Sequence, residues 1–200
     1  MTIDELLRRY GRTYADEAGI TLRDKPAPLY QLLVLTTLLS VRIKADIAVA
    51  AARELFRAGW RTPDKMARST WQQRVDALGR AHYVRYDEST STSLGEGAQR
   101  VLDVYHGDLR RMRADADGDV AALRRALTGF RRIGPTGTHI FCREAQGVWP
   151  ELRPYFDQRA LRAAGDLGLP TDPDRLGSCV ASDDIGRLAA ALVRYGLDRH

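Results

Sequence analysis

One apolar segment constrains the fold of this chain more than any other feature. From Leu29 to Leu39 every residue is apolar except Gln31, Thr36 and Thr37. The segment is shorter than the roughly 20 residues that a membrane-spanning helix needs, and it lacks the polar alternation of a half-buried strand. It therefore predicts a helix that is buried on all sides and central to its lobe.

The rest of the chain repeats the helical pattern. Apolar residues recur at helical spacing in several stretches, for example Val120, Leu123 and Leu127. Helix-start signals occur at Thr2-Ile3-Asp4-Glu5 and at Ser69-Thr70-Trp71. We find no strand-like alternation and no internal repeat. The sequence therefore predicts an all-α fold with short connections.

Composition sets wide limits on partners and compartment. The 200-residue chain has a net charge of +5 and a pI near 9.5, which permits a polyanionic partner without requiring one. Its two cysteines, Cys142 and Cys179, cannot form a metal or iron–sulfur set on their own. The N-terminus lacks a signal-peptide core. We therefore expect a cytoplasmic protein without a metal.

A glycine-rich stretch lies between two apolar-patterned helices. Gly134 and Gly137 surround Pro135 and Thr136, and Arg131-Arg132 come just before them. Glycine permits a tight turn and close approach of another backbone, and the start of the following helix offers free N–H groups to a phosphate. The spacing alone fits either a phosphate-binding hairpin or a plain turn between helices.

Asp157 is a candidate catalytic residue. It follows a Trp-Pro break and directly precedes the helical pattern that begins at Gln158. An aspartate in that place is a favoured helix N-cap. The same carboxylate could stabilise a positively charged sugar and direct a water molecule. Both interpretations remain open, and they are compatible.

Three stretches in order resemble the endonuclease III-like DNA glycosylases. The stretch from Phe130 to Thr138 resembles the helix-hairpin-helix of that family. Leu38 to Arg42 resembles the early helix end that enters the damaged duplex, and Val148-Trp149-Pro150 followed by Asp157 resembles the loop with the catalytic aspartate. The similarity covers roughly residues 29 to 165.

The resemblance implies a two-lobed helical DNA glycosylase fold with a cleft between the lobes. One lobe would comprise residues 24–149, with the hairpin at about 130–141, and the other residues 1–23 and 150–200. The implied function is base-excision repair, in which a damaged or mispaired base is flipped out of double-stranded DNA and its N-glycosidic bond is hydrolysed. We expect this hydrolysis to need no cofactor, and we expect a monomer that is associated with the nucleoid.

The resemblance also assigns site residues. Asp157 would be catalytic. Phosphates would be held by the backbone amides of the hairpin, with three cations adding charge. The predicted DNA-binding residues are Arg42, Lys44, Arg132, Ile133, Gly134, Pro135, Thr136, Gly137 and Thr138.

Two departures from the family pattern limit the predicted chemistry. The lysine with which some members cleave the strand would align at Thr136 or Gly137, and neither can form a Schiff base. The four-cysteine tail that binds an iron–sulfur cluster is also missing. We therefore predict a monofunctional glycosylase without a cluster. The alternative is a non-catalytic DNA-binding or damage-sensing protein that retains the fold.

Five side chains carry open alternatives. Arg42 stands where the family has a glutamine that fills the gap left by the flipped base. It would have the same role here, or it is a surface arginine at a helix end. Tyr83, Arg85 and Tyr86 would wedge into the duplex or line the base pocket, or they belong to the core. His139 is expected to be a packed or phosphate-side residue and not a metal ligand. The sequence does not identify the base that is recognised.

Overall fold

The long apolar segment forms a buried helix in the computed structural model, which describes residues 1–199. This helix, α3, runs over Pro26–Leu39, and every residue from Leu29 to Leu38 is buried. Pro26 and Pro28 lie in its first turn, where a missing backbone N–H costs no helical hydrogen bond. The prediction of a helix buried on all sides is confirmed.

Helices make up all the regular structure within residues 1–199, so the predicted all-α class is confirmed. Short 3-10 helices lie at Pro150–Leu152 and Ser182–Asp184. The α-helices are α1 (Ile3–Tyr10), α2 (Tyr14–Glu17), α3 (Pro26–Leu39), α4 (Ala45–Arg57), α5 (Pro63–Arg68), α6 (Trp71–Arg80), α7 (Asp87–Tyr105), α8 (Arg110–Ala116), α9 (Val120–Leu127), α10 (Pro135–Ala145), α11 (Gln158–Asp166), α12 (Pro173–Gly177) and α13 (Ile185–Asp198).

The chain divides into two compact units. The hairpin unit comprises Ala18–Phe141, and the aspartate unit comprises Met1–Glu17 together with the described residues from Cys142 onward. The lobes predicted from the resemblance had their boundaries at residues 23/24 and 149/150. In the structure the unit boundary falls inside α10, so this helix begins in one unit and ends in the other.

The hairpin unit packs α3 against α4 and α7, and α7 in turn packs against α5 and α6. Tyr83, in the connection between α6 and α7, is fully buried, and its hydroxyl donates to the carbonyl oxygen of Leu38 at 3.2 Å. A fully buried ring is not placed to wedge into a duplex, and the base-pocket role of Tyr83 stays a prediction. The core alternative is confirmed.

The aspartate unit packs α13 against α1 and α11. Alanines such as Ala160 and Ala189 lie in its core, and these small side chains let the helices approach closely. Helix α1 begins at the predicted capping box, in which the Thr2 hydroxyl accepts from the Glu5 amide and the Glu5 carboxylate accepts from the Thr2 amide. The second predicted helix start also holds, since Thr70 caps α6 in the same reciprocal way.

Two kinds of feature are absent from the described residues. None of the helices within residues 1–199 is both long and apolar enough to cross a membrane. In that same part of the chain, no three or more His, Cys, Asp or Glu side chains are grouped so that they could hold a metal ion. Cys142 is buried and Cys179 is exposed, and neither forms a disulfide with another described residue.

Candidate functional site

The predicted hairpin is an irregular connection between two helices of the hairpin unit. Helix α9 ends at Leu127 and α10 begins at Pro135. Within the connection Arg132 adopts the left-handed conformation, with φ of 72°. The connection borders an open pocket of about 500 Å³. This hairpin pocket is lined by Ser40, Thr128, Phe130, Arg131, Arg132, Ile133, Gly134, Pro135, Thr136 and Gly137.

The structure reduces the set of backbone donors that the hairpin offers. The Ile133 amide donates to the Phe130 carbonyl at 3.1 Å, and the Thr138 amide donates to the Gly134 carbonyl at 3.0 Å. Pro135 has no N–H. Ile133, Pro135 and Thr138 therefore offer no free N–H to a phosphate in this structure, and a DNA-binding role for them stays a prediction. Gly134, Thr136 and Gly137 remain as candidate donors, the last two in the first turn of α10, where helical amides have no intrahelical partner.

Gly137 is glycine because α10 passes close to the end of α3. A methyl group on Gly137 would lie 2.4 Å from the hydroxyl oxygen of Ser40 and 3.1 Å from Cγ2 of Ile133. Gly134 differs, because a methyl group there would meet no atom within 4 Å. The two glycines of the motif therefore have different structural roles. Gly137 allows α10 to pack closely against the end of α3, and Gly134 leaves the backbone uncovered at the pocket.

Arg124 of α9 fixes the first turn of α10. Its Nε donates to the Thr138 hydroxyl oxygen at 3.0 Å, and that hydroxyl donates to the Pro135 carbonyl at 2.8 Å. Its Nη2 lies 3.1 Å from Nε2 of His139. Because a guanidinium can only donate, Nε2 of His139 is the acceptor and carries no proton in this arrangement. His139 is therefore a packed side chain beside the hairpin, one of the two roles predicted for it.

The two arginines before the turn differ in accessibility. Arg131 is exposed and forms a surface ion pair with Glu96, with 3.2 Å between Nη1 and Oε1. Arg132 is half-buried, donates to the Ser89 hydroxyl, and stacks its guanidinium on the Tyr86 ring. Arg131 is thus the freer cation at the pocket, although Arg132 was the one predicted to bind DNA.

The other predicted cations and aromatics also lie in the hairpin unit. Arg42 and Lys44 are exposed in the connection between α3 and α4, close in sequence to Ser40 of the hairpin pocket. Arg85 is exposed with its guanidinium 5.3 Å from the centre of the Tyr86 ring, and Tyr86 is half-buried. The DNA-binding or wedge roles of these residues stay predictions.

Asp157 is the N-cap of α11 in the aspartate unit, as the favoured residue type at that place predicted. Its Oδ1 accepts from the Ala160 amide at 2.9 Å, and its Oδ2 accepts from Nη1 of Arg143 at 3.0 Å. The Arg143 and Asp157 side chains are only 3% and 7% exposed, so this is a buried ion pair. The carboxylate is held in one orientation by a helix start and by a guanidinium.

A single amide side chain organises the loop that leads to Asp157. Gln146 is fully buried; its Oε1 accepts from the Tyr155 amide at 2.9 Å and its Nε2 donates to the Tyr155 carbonyl at 3.0 Å. Arg153 binds from the loop to the end of α10, with Nε donating to the Gln146 carbonyl at 2.6 Å. The position of Asp157 is therefore set by α10 as well as by α11.

Glu144, beside Arg143 on α10, is a second buried carboxylate of the aspartate unit. Its oxygens accept from the amides of Tyr14 and Ala15, at 3.3 and 2.9 Å, at the start of α2. Burial raises the pKa of Glu144 above its ordinary value, while the Arg143 cation and the two amides act in the opposite direction. The neighbourhood of Asp157 thus combines a buried cation with a carboxyl group that resists ionisation.

Three contributors to these sites were missed at the sequence level. Arg143 lies in an apolar-patterned helix, where one arginine gives no sign of burial. Ser40 and Arg124 reach the hairpin from other helices, so their roles depend on tertiary contacts. Gly137 is a weak sequence signal of close packing at the start of α10. It could have indicated that a residue of another segment, such as Ser40, lies against this helix.

Comparisons with known proteins yield a similarity of fold. No protein-family model matches the sequence, and no curated protein matches it. The structure is similar to a solved structure of endonuclease III trapped as a covalent intermediate with DNA, an estranged-adenine complex. The two share 13% sequence identity with a TM-score of 0.52, over 96% of this chain and 85% of the other. The chain therefore has an endonuclease III-like fold.

Proposed function

We propose that this protein is a monofunctional DNA glycosylase of base-excision repair, which flips a damaged or mispaired base out of double-stranded DNA and hydrolyses its N-glycosidic bond. The observation that carries the proposal is the start of α10 at Pro135. There, candidate amide donors and the exposed Arg131 border a pocket, on a fold similar to that of an endonuclease solved with DNA. In this proposal the protein acts as a monomer at the nucleoid in the cytoplasm.

The hairpin would bind one phosphate of the DNA backbone. The amides of Gly134, Thr136 and Gly137 and the positive end of the α10 dipole favour an anion. Arg131, with exposed Arg42 and Lys44 on the neighbouring connection, would add charge along the strand. These contacts would set the position of the protein on DNA without reading its sequence.

Asp157 would promote cleavage of the glycosidic bond. A fixed carboxylate can stabilise positive charge that develops on the sugar and can direct a water molecule to it. Each carboxylate oxygen has two lone pairs, so acceptor capacity remains beside the bonds to Arg143 and Ala160. The lysines of the chain are Lys25, Lys44 and Lys65, and none lies in the hairpin. Without an amine there, no Schiff base forms and the strand stays uncut.

The burial of Asp157 favours a second candidate function. Its side chain is 7% exposed and both of its oxygens are engaged. A carboxylate with only those structural roles would fit a non-catalytic DNA-binding or damage-sensing protein with the same fold.

The test is an assay of base release over duplexes that carry alkylated, oxidised, deaminated or mismatched bases, with and without alkali. We expect the parent to release one of these bases and to give strand breaks only after alkali. Asp157→Asn should lose base release and keep duplex binding, since asparagine also caps helices well. The change leaves the buried Arg143 without its charged partner, so thermal unfolding must show that the variant is folded. Asp166→Asn, which changes an exposed carboxylate at the other end of α11, is the matched control.

The two candidates predict different results. Equal base release by Asp157→Asn and the parent would show that Asp157 is not the catalytic carboxylate. A parent protein that binds duplex DNA but releases none of the bases would favour the non-catalytic candidate.

A further inference from the structure

A second pocket of the hairpin unit presents an exposed aromatic surface. Trp71, the first residue of α6, is 41% exposed. Its indole Nε1 lies 3.3 Å from the Glu88 carbonyl and 3.2 Å from the Thr92 hydroxyl oxygen, and it can donate to both. The ring is thus held by its polar edge while part of its apolar surface stays in water. A fixed, exposed indole is a platform for another planar group.

Tyr86 lies in the same pocket, and two guanidinium groups lie close to its ring. The centres of the Arg85 and Arg132 guanidiniums are 5.3 and 5.5 Å from its ring centroid. Arg132 is held there by its hydrogen bond to the Ser89 hydroxyl. The aromatic groups of this pocket are therefore accompanied by cations, the combination that binds single-stranded nucleic acid.

The pocket has the size and polarity of a nucleotide site. Its volume is about 590 Å³, within the range of small-ligand pockets. Its wall includes carboxylates and guanidiniums, which complement the donors and acceptors on the edge of a base. An apolar peptide side chain would have to desolvate these charges without pairing them. The aromatic and charged residues that line the pocket are Trp71, Arg85, Tyr86, Asp87, Glu88 and Arg131.

Arg131 connects this pocket to the hairpin pocket, because it lines both. Its ion pair with Glu96 is a weak competitor, since ion pairs between exposed side chains contribute little. A phosphate bound at the hairpin would therefore share this arginine with a nucleotide in the second pocket.

We propose that the pocket beside Trp71 binds an unpaired base of a nucleic-acid strand, stacked on the indole, while Arg131 holds a phosphate of the same strand. This proposal rests on the proposed DNA-binding function and adds a preference for unpaired nucleotides that duplex binding alone does not require.

The test compares three fluorescently labelled DNAs with the full-length protein by anisotropy. They are a blunt duplex, the same duplex with a short thymidine overhang, and that duplex with an overhang of abasic residues, which has phosphates but no bases. Stacking is worth roughly 1–3 kcal/mol per base, so we expect at least about 5-fold tighter binding of the thymidine overhang than of the abasic one.

Three variants assign the preference to the pocket. Trp71→Ala should abolish it and leave binding of the blunt duplex unchanged. Trp71→Phe, which keeps an aromatic face, should retain most of it. Arg85→Ala should weaken it, and Val104→Ala, an exposed apolar residue on α7 outside the pocket, should not change it. Thermal unfolding of each variant checks that it is folded.

The outcomes separate this proposal from the proposed function. A parent protein without preference for bases over abasic residues, or Trp71→Ala and Arg85→Ala variants that keep the full preference, would overturn the pocket proposal. Failure of the parent to bind the blunt duplex would instead contradict the proposed glycosylase function.

Discussion

Arg143 and Asp157 form an ion pair inside the aspartate unit, with 3.0 Å between Nη1 and Oδ2. Arg143 is on α10 and Asp157 caps α11, so the pair links the two helices that position the candidate carboxylate. Both side chains are withdrawn from water, and neither charge can be removed without leaving the other in the interior.

We predict that Arg143→Ala lowers the free energy of unfolding by about 3–5 kcal/mol, the range found when one partner of a buried pair is removed. Urea denaturation measures this free energy of unfolding. Arg68→Ala, which removes an exposed i,i+4 pair with Asp64, should change it by at most about 1 kcal/mol. Similar losses for the two variants would contradict the importance of the buried pair.

Gly137→Ala should destabilise the hairpin unit by roughly 1–3 kcal/mol, because the added methyl group would overlap Ser40. Ser40→Gly in the same chain should recover part of the loss by removing the hydroxyl. Gly134→Ala is the control, since its methyl group has open space and should change stability by less than about 0.5 kcal/mol. If Gly134→Ala weakens duplex binding without loss of stability, bare backbone is needed at the pocket.

Arg131→Ala should weaken duplex binding and reduce its dependence on salt. The slope of log K against log salt concentration is negative, and each phosphate contact that is lost reduces its magnitude by about 1. Arg111→Ala, another exposed arginine of the same unit, should leave the slope unchanged. Titrations at several salt concentrations measure both, and equal slopes for parent and Arg131→Ala would place the phosphate elsewhere.

Glu144 should make stability fall as the pH rises above 4.5, the ordinary pKa of its carboxyl group. Below that pH both folded and unfolded chains hold the proton. Above it the unfolded chain releases the proton first, because burial raises the pKa of Glu144 in the folded state, and the unfolded state is favoured. The loss continues until the pH passes the raised pKa.

Glu144→Gln removes this titration. The stability of the parent minus that of Glu144→Gln, from urea denaturation at each pH, should therefore decrease as the pH increases from 4.5. Glu96→Gln changes an exposed carboxylate and serves as the control. A difference that stays constant over the pH range, apart from the fixed cost of a changed hydrogen bond to α2, would contradict the prediction.

The local features of the fold could be predicted because they depend on neighbours in sequence. The apolar segment of α3, the capping box at Thr2 and the cap at Asp157 each follow from side chains within one helical turn. The hairpin between two helices was predictable for the same reason, since glycines and a proline interrupt an apolar pattern.

The burial of Tyr83 shows where that reasoning ends. An aromatic residue among cations fits a surface wedge and a core position equally well by sequence. The core position depends on a contact with α3, a helix that is distant in sequence: the Tyr83 hydroxyl donates a hydrogen bond to the Leu38 carbonyl oxygen near the end of that helix.

The sequence alone therefore determined that this chain forms helices, where several of them begin, and which short motifs resemble the DNA glycosylases. The tertiary structure alone decided that Ser40 lies against Gly137, that Arg143 meets Asp157, and that Trp71 and Arg131 border one pocket. The physical reason is distance along the chain: periodicity and capping act within a turn, whereas burial and ion pairing join residues that only folding brings together.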